Sequence, residues 1–204
     1  MKTNNLITAV FWMLLAAQVN AATKPIEGIH YETVEVPAEM KLAPVTEIFA
    51  LGCHACHSLE QIFARLAQNI GQPVDKVHVA YNRPTEMQAS LYYTGRLMVS
   101  PDKLDAFTAD LFDAMQGGGS AEVRLNDAMG TIKRYATGDD GKTAERNIRA
   151  IKAEVARAKQ ISAAYEVNAV PSLVINSKYV VLFQAHKSEE DIGSTVKALL
   201  NKAE

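Results

Sequence analysis

Val45-Thr46-Glu47-Ile48-Phe49-Ala50-Leu51-Gly52-Cys53-His54-Ala55-Cys56-His57 is the stretch whose reading decides the fold. Its first six residues form an apolar, partly β-branched run that closes at Gly52, the pattern of a buried strand. From Cys53 to about Ile70 the period changes. Leu59, Ile62, Phe63 and Leu66 recur at helical spacing, and Gly71-Gln72-Pro73 ends the run. A strand therefore leads straight into a helix, and Cys53 and Cys56 stand in its first turn. A cysteine at that place lies near free backbone N–H groups and the positive end of the helix, which favour the reactive thiolate. His54, when protonated, adds a second favourable charge. Cys56 sits one turn further in and is expected to be the less exposed sulfur. Cys53 would then attack or be attacked, and Cys56 would resolve the mixed disulfide.

The flanking segments build an α/β unit around this core. Tyr31 to Val36 alternates before Pro37 and predicts a first, edge-type strand; Val74 to Tyr81 predicts a third, parallel to the second because a helix connects them. From Pro84 to Glu166 no strand is evident. Val99-Ser100-Pro101, Gly117-Gly118-Gly119 and Gly138-Asp139-Asp140-Gly141 divide this region into three or four helices. In the last of them Ala144, Ile148, Ile151, Val155, Ala158 and Tyr165 share a face and read as a core stripe. Ser172 to Ile175 and Tyr179 to Phe183 then form a hairpin around Asn176-Ser177-Lys178, and a final helix runs from about Ser188 to Lys202. The order is β-β-α-β, helices, β-β-α.

The 204 residues suffice for one domain with a substantial core, and the net charge of −2, without any basic patch, speaks against a nucleic-acid partner. Lys2, the apolar stretch Leu6 to Ala17 and the small residues of Val19-Asn20-Ala21 have the layout of a secretory signal peptide cleaved after about Ala21. That stretch is short beside the roughly 20 apolar residues of a membrane span. Export implies an oxidising compartment. The chain holds only two cysteines, two residues apart, and a loop this short gains little as a structural staple. The pair reads as chemistry.

The strand, the Cys-x-x-Cys, the helix and the later Val170-Pro171 resemble the thioredoxin superfamily. With the large helical insertion, the DsbA family of bacterial periplasmic dithiol oxidases is the nearest likeness. The resemblance implies a mixed sheet flanked by helices. It divides the chain into a signal peptide at 1–21, a thioredoxin-like domain at 22–83 and 167–204, and an inserted helical domain at 84–166. It also implies tuning roles for Glu47, a buried acid serving the resolving cysteine, and for Glu60 and Lys76 beside it, with His54. Val170 and Pro171 correspond to the family's cis-proline segment, where a substrate peptide pairs by strand addition. Implied partners are reduced or unfolded exported proteins and a quinone-linked membrane reoxidase of the DsbB type; no cofactor is implied. The chain departs from the family in carrying His54 and Ala55 where proline and histidine are usual, and in having His57. Both departures bear on the direction of the reaction, so a reductase or isomerase of the same fold is the alternative. Val170 points back to the oxidase side.

Cys53-His54-Ala55-Cys56-His57 also satisfies the pattern for c-type haem attachment, with His57 and Met87 or Met98 as axial ligands. The strand before the motif and the strands and helix after it count against this. Zinc is weaker still, because no second ligand pair accompanies the cysteines and His30, His78 and His186 are scattered. By pattern alone Glu47 would face solvent, Lys76 would be solvated or pair near Asp75, Glu60 would be an exposed helix carboxylate, His78 a packed or surface histidine, and Tyr92 and Tyr93 packing residues.

Trp12 is the chain's single tryptophan. Cleavage after Ala21 therefore yields a mature protein without tryptophan emission, which a fluorescence spectrum excited at the indole band checks directly.

Overall fold

The structure is a computed structural model and describes residues 24–137 and 141–202. The signal-peptide segment and the turn at 138–140 lie outside the described residues. A five-stranded mixed sheet in the order β1-β5-β4-β2-β3 forms the centre: β1 Tyr31–Thr33, β2 Val45–Phe49, β3 Asp75–His78, β4 Ser172–Ile175 and β5 Tyr179–Val181. β2 pairs parallel with β3 and antiparallel with β4, and β4 pairs with β5 as a hairpin. Asn176 and Ser177 take positive φ in the hairpin turn.

α1 (His54–Ile70) connects β2 to β3 and ends on Gly71 in the left-handed conformation, with the Gly71 N–H donating to the Ala67 carbonyl. That φ of +71° is open to glycine without the Cβ penalty other residues meet. Between β3 and β4 stand four α-helices: α2 Arg83–Met98, α3 Leu104–Gln116, α4 Ala121–Tyr135 and α5 Gly141–Ala164. α2 starts on a capping box between Asn82 and Thr85, with Pro84 in its first turn. α6 (Glu189–Leu200) closes the chain and is capped by Ser188, whose hydroxyl accepts from the Asp191 N–H. The chain is thus a mixed α/β protein of thioredoxin fold with a helical insertion.

Two apolar clusters fill the molecule. One joins β2 and β3 to the inserted helices through Phe49, Tyr92, Tyr93, Phe107 and Phe112. The other packs Phe63 and Leu66 of α1 and Val196 and Leu199 of α6 against β4 and β5. Tyr92 and Tyr93 are packing residues, as expected.

Some expectations differ from the structure in extent. The first strand stops at Thr33 because β5, its partner in the sheet, gives way to the hairpin turn; Val34 still donates to the Lys178 carbonyl. Phe183, expected to end β5, starts a short 3-10 helix instead. In the α5 stripe, Ala158 and Tyr165 are buried, but Ile148 is 51 % exposed. Lys159 pairs with Glu86 in the first turn of α2, and Ile148 lies about 16 Å further along α5 from that contact, where cover is incomplete. The Ala144 side chain lies outside the described residues.

α2 and α3 meet at Gly95, where a Cβ would collide with the Phe107 ring. Gly95→Ala is expected to cost about 1–3 kcal/mol through overpacking, read as a lower urea midpoint at unchanged slope.

Candidate functional site

β2 is buried along its whole length and delivers the chain into a tight turn, Ala50 to Cys53, in which the Cys53 N–H donates to the Ala50 carbonyl. Cys53 is the N-cap of α1, with extended backbone (φ −92°, ψ 109°). Its Sγ accepts a hydrogen bond from the Cys56 N–H at 3.0 Å. Cys53 and Cys56 are joined as a disulfide with Cα atoms 5.3 Å apart. The two sulfurs have unequal surroundings: Cys53 is partly exposed, whereas Cys56 has 0 % of its surface in solvent. The expected asymmetry is present.

The cis-peptide Val170-Pro171 lies beside this turn, and the Val170 carbonyl oxygen is 3.5 Å from Cys53 Sγ. Pro171 immediately precedes β4, the place where a missing ladder donor is tolerated. Val170 and Pro171 are both partly exposed. His54 is exposed at the first residue of α1, on a groove of about 400 Å³ that Gly52, Met87, Gln88, Met115 and Gln116 also line.

Under the active-site helix Glu47, Lys76 and Glu60 form one charged group. Their registry is set by the sheet, where Glu47 of β2 is the cross-strand neighbour of Lys76 on β3. Lys76 Nζ donates to Glu47 Oε2, and to Glu60 Oε1 at 2.7 Å. The Glu47 side chain is fully buried, and the Lys76 and Glu60 side chains are nearly so. This corrects the solvent-facing readings of all three. β2 is a central strand covered on both sides, so its polar positions do not reach water. Lys76 does not pair with Asp75, which is engaged by Arg96.

Burial pushes the Glu47 carboxyl up to about 7, against the opposing pull of the Lys76 ammonium. Glu47 Oε1 has no hydrogen-bond partner among the described residues, which adds to the cost of burying its charge. Lys76 is held above its ordinary value: burial works against its charge, but the two carboxylates outweigh it.

Further contacts were not legible from local sequence. His78, read as an ordinary packed or surface histidine, is buried with its ring edge against Phe49. Its Nε2 accepts from the Leu51 N–H at 3.0 Å, which leaves Nδ1 to donate to the Val79 carbonyl at 2.7 Å. Burial drives its pKa down to about 4, so the ring is neutral near pH 7. Gln88 Oε1 accepts from the Gly52 N–H, and Gln116 Nε2 donates to the carbonyls of Leu51 and Cys53. His57 stacks face to face on Phe112, with ring centroids 5.1 Å apart, and its Nε2 lies 3.6 Å from Asp113. Spacing carried no signal for these, since the partners are far apart in the chain.

The fold and the paired sulfurs at a helix start define a class: a thioredoxin-fold protein with a redox-active Cys-x-x-Cys. No family model matches the chain. It is 26 % identical over 166 residues to the thiol:disulfide interchange protein DsbA of Pseudomonas syringae pv. tomato, covering 80 % of this chain and 75 % of that protein. DsbA of Klebsiella pneumoniae superposes with a TM-score of 0.65 at 17 % identity, over 88 % of this chain and 99 % of that one. DsbA of Proteus mirabilis, solved as a cysteine-to-serine variant with a non-covalently bound peptide, gives 0.63 at 18 % identity over 88 % and 100 %. The chain is DsbA-like in sequence and of thioredoxin fold, and its Cys53–Cys56 pair makes it a thiol:disulfide oxidoreductase.

The raised Glu47 carboxyl has a consequence for stability. Its folded value, about 7, lies above the ordinary 4.5, so the native state binds this proton more tightly than the unfolded chain. That contribution is complete below about 4.5 and is lost as pH rises through about 7. Relative to Glu47→Gln, which keeps the shape without the ionisation, the wild type is expected to lose stability across that window. Urea midpoints of both proteins at pH 4.5, 6 and 7.5 measure it; parallel curves would refute the assignment.

Proposed function

We propose that the chain is a dithiol oxidase that donates the Cys53–Cys56 disulfide to reduced exported proteins. The observation that carries this reading is the N-cap position of Cys53, where its sulfur faces the Cys56 N–H at 3.0 Å while Cys56 is wholly buried. A substrate thiolate attacks Cys53 Sγ, the S–S bond breaks, and Cys56 leaves with the electron pair and takes up a proton. A second substrate thiolate attacks the substrate sulfur of the mixed disulfide and expels Cys53 as thiolate. The substrate loses two electrons and two protons, and the enzyme disulfide becomes a dithiol. The better Cys53 is stabilised as a leaving thiolate, the more oxidising the disulfide.

The other residues take roles that fit their surroundings. Because Cys56 is shut off from solvent, its proton must come from inside the protein. Glu47, buried with a value near neutrality and held by Lys76 and Glu60, is the residue suited to supply it. His54 adds positive charge at the exposed end of the helix when protonated. Val170 and Pro171 offer an edge to an extended substrate segment, beside a cavity of about 250 Å³ lined by Val167, Asn168, Ala169 and Ser172. A peptide bound to the Proteus mirabilis DsbA supports the same substrate class here. The functional units would be a redox domain of 22–83 and 167–204 and an inserted domain of 84–166.

The export signal at 1–21 supports a periplasmic location, and among the described residues no helix is long and apolar enough to cross a membrane. A DsbB-type quinone-linked oxidase would return the dithiol to the disulfide. The haem reading is less well supported, because attachment through both sulfurs requires Cys56 to leave its buried position and His57 to leave Phe112.

The test is the redox equilibrium with glutathione, run beside an ultraviolet titration of the Cys53 thiolate. An oxidase is expected to show a thiol well below the ordinary value of about 8.5 and a potential far above the roughly −270 mV of thioredoxin. A potential near the thioredoxin value overturns the oxidase direction in favour of a reductase. Cys56→Ser is expected to accumulate mixed disulfides with exported proteins, and Cys53→Ser to abolish thiol oxidation.

A further inference from the structure

The segment Leu51-Gly52-Cys53 is held by side chains that come from three other elements. His78 of β3 accepts the Leu51 N–H at 3.0 Å. Gln88 of α2 accepts the Gly52 N–H at 3.1 Å. Gln116, the last residue of α3, donates from one amide nitrogen to the Leu51 carbonyl at 2.8 Å and to the Cys53 carbonyl at 3.1 Å. Gly52 lets the Gln88 amide lie directly against the turn, since a Cβ there would meet its Nε2 at 3.2 Å. α2 and α3 both belong to the helical insertion, so two of the three side chains reach the turn from outside the β2-α1-β3 unit that carries the cysteines.

We propose that Gln88 and Gln116, with His78 as the fixed third point, are positioning residues that set the reactivity of Cys53 in the reduced enzyme. The physical reason lies in what each redox state already fixes. In the oxidised protein the covalent bond to Cys56 holds Cys53 Sγ over the start of α1, whatever the turn does. In the dithiol that tether is gone. The sulfur then stays near the Cys56 N–H and the helix end only as far as the backbone of residues 51–53 is held, and beyond the bond from the Cys53 N–H to the Ala50 carbonyl that hold comes from outside. The amide clamp therefore stabilises the dithiol form, with its thiolate, more than it stabilises the disulfide form. By this route the inserted helices act on the redox equilibrium without touching either sulfur. The inference rests on the reading of Cys53 as a helix-stabilised thiolate. It goes beyond that reading in assigning part of the effect to two glutamines remote in sequence.

Gln88→Met and Gln116→Met keep the length and packing of the side chains and remove their hydrogen bonds. Gln116→Glu keeps the shape but turns a carboxylate on two carbonyl oxygens. In the equilibrium measured, two glutathione thiols give up two electrons and two protons to the Cys53–Cys56 bond and become glutathione disulfide.

Each Met variant is expected to raise the Cys53 thiol pKa and to lower the constant for reduction of the enzyme by about threefold or more, and Gln116→Glu by more than Gln116→Met. Urea unfolding of both redox forms supplies the readout that a merely structural role would not move. The clamp predicts a larger loss of stability in the dithiol than in the disulfide form. Equal losses in the two forms, with unchanged thiolate titration and glutathione constant, overturn it. If Gln116→Met does not fold, Gln88→Met, which removes the one hydrogen bond to the Gly52 N–H, decides the matter by the same measurements. The wild-type values themselves test the oxidase reading, whereas the difference between variant and wild type tests the clamp, so the two fail separately.

Discussion

A sulfur at a helix N-cap is the constraint on which the rest of the molecule depends. Cys53 must have extended backbone for its side chain to turn back over the first turn of α1 and meet the Cys56 N–H. That requires a strand that stops abruptly, a turn that does not drift and a helix that begins at one defined residue. β2 meets the first condition by being buried at every position, locked between β3 and β4. The short bond from the Cys53 N–H to the Ala50 carbonyl meets the second. The helix dipole and the free N–H groups then act on a sulfur whose place is fixed, where they count for more than on a mobile one.

Electrostatics beneath the helix follow a second logic. Three ionisable groups share a space that solvent hardly enters, and two carboxylates on one ammonium leave a buried net negative charge when all three ionise. The frustration falls on Glu47, the most buried, whose second oxygen has no partner among the described residues. The same arrangement costs stability near neutral pH, where the raised Glu47 carboxyl gives up its proton.

The local features were legible from sequence because they are written locally. The strand running into Cys53, the apolar stripe of α1, the turn at Gly71 and the hairpin around Asn176 each show as a pattern within a few residues, and the proline at the start of β4 is placed by its own chemistry. Glu47 was not legible from alternation, because alternation reports a strand with one wet face and β2 has none. The resemblance to a known family supplied that residue instead. Ile148 misled for the converse reason: a stripe shows which face of a helix is apolar, not how far its partner extends. Gln88 and Gln116 were missed because a glutamine on a helix reads as surface, and what each bonds lies 36 to 65 residues earlier in the chain; His78 was read as packed, but not as a partner of Leu51.

The span of these contacts has a consequence for the order in which the protein is made. Both cysteines have been synthesised by residue 56. The groups that fix the geometry around Cys53 arrive 36, 63 and 117 residues after the atoms they contact. A nascent or partly folded chain thus carries the reactive pair long before it carries the surroundings that distinguish this pair from any two neighbouring thiols. On the proposed reading, the reactivity of Cys53 belongs to the finished tertiary structure and would be switched on by the completion of folding itself.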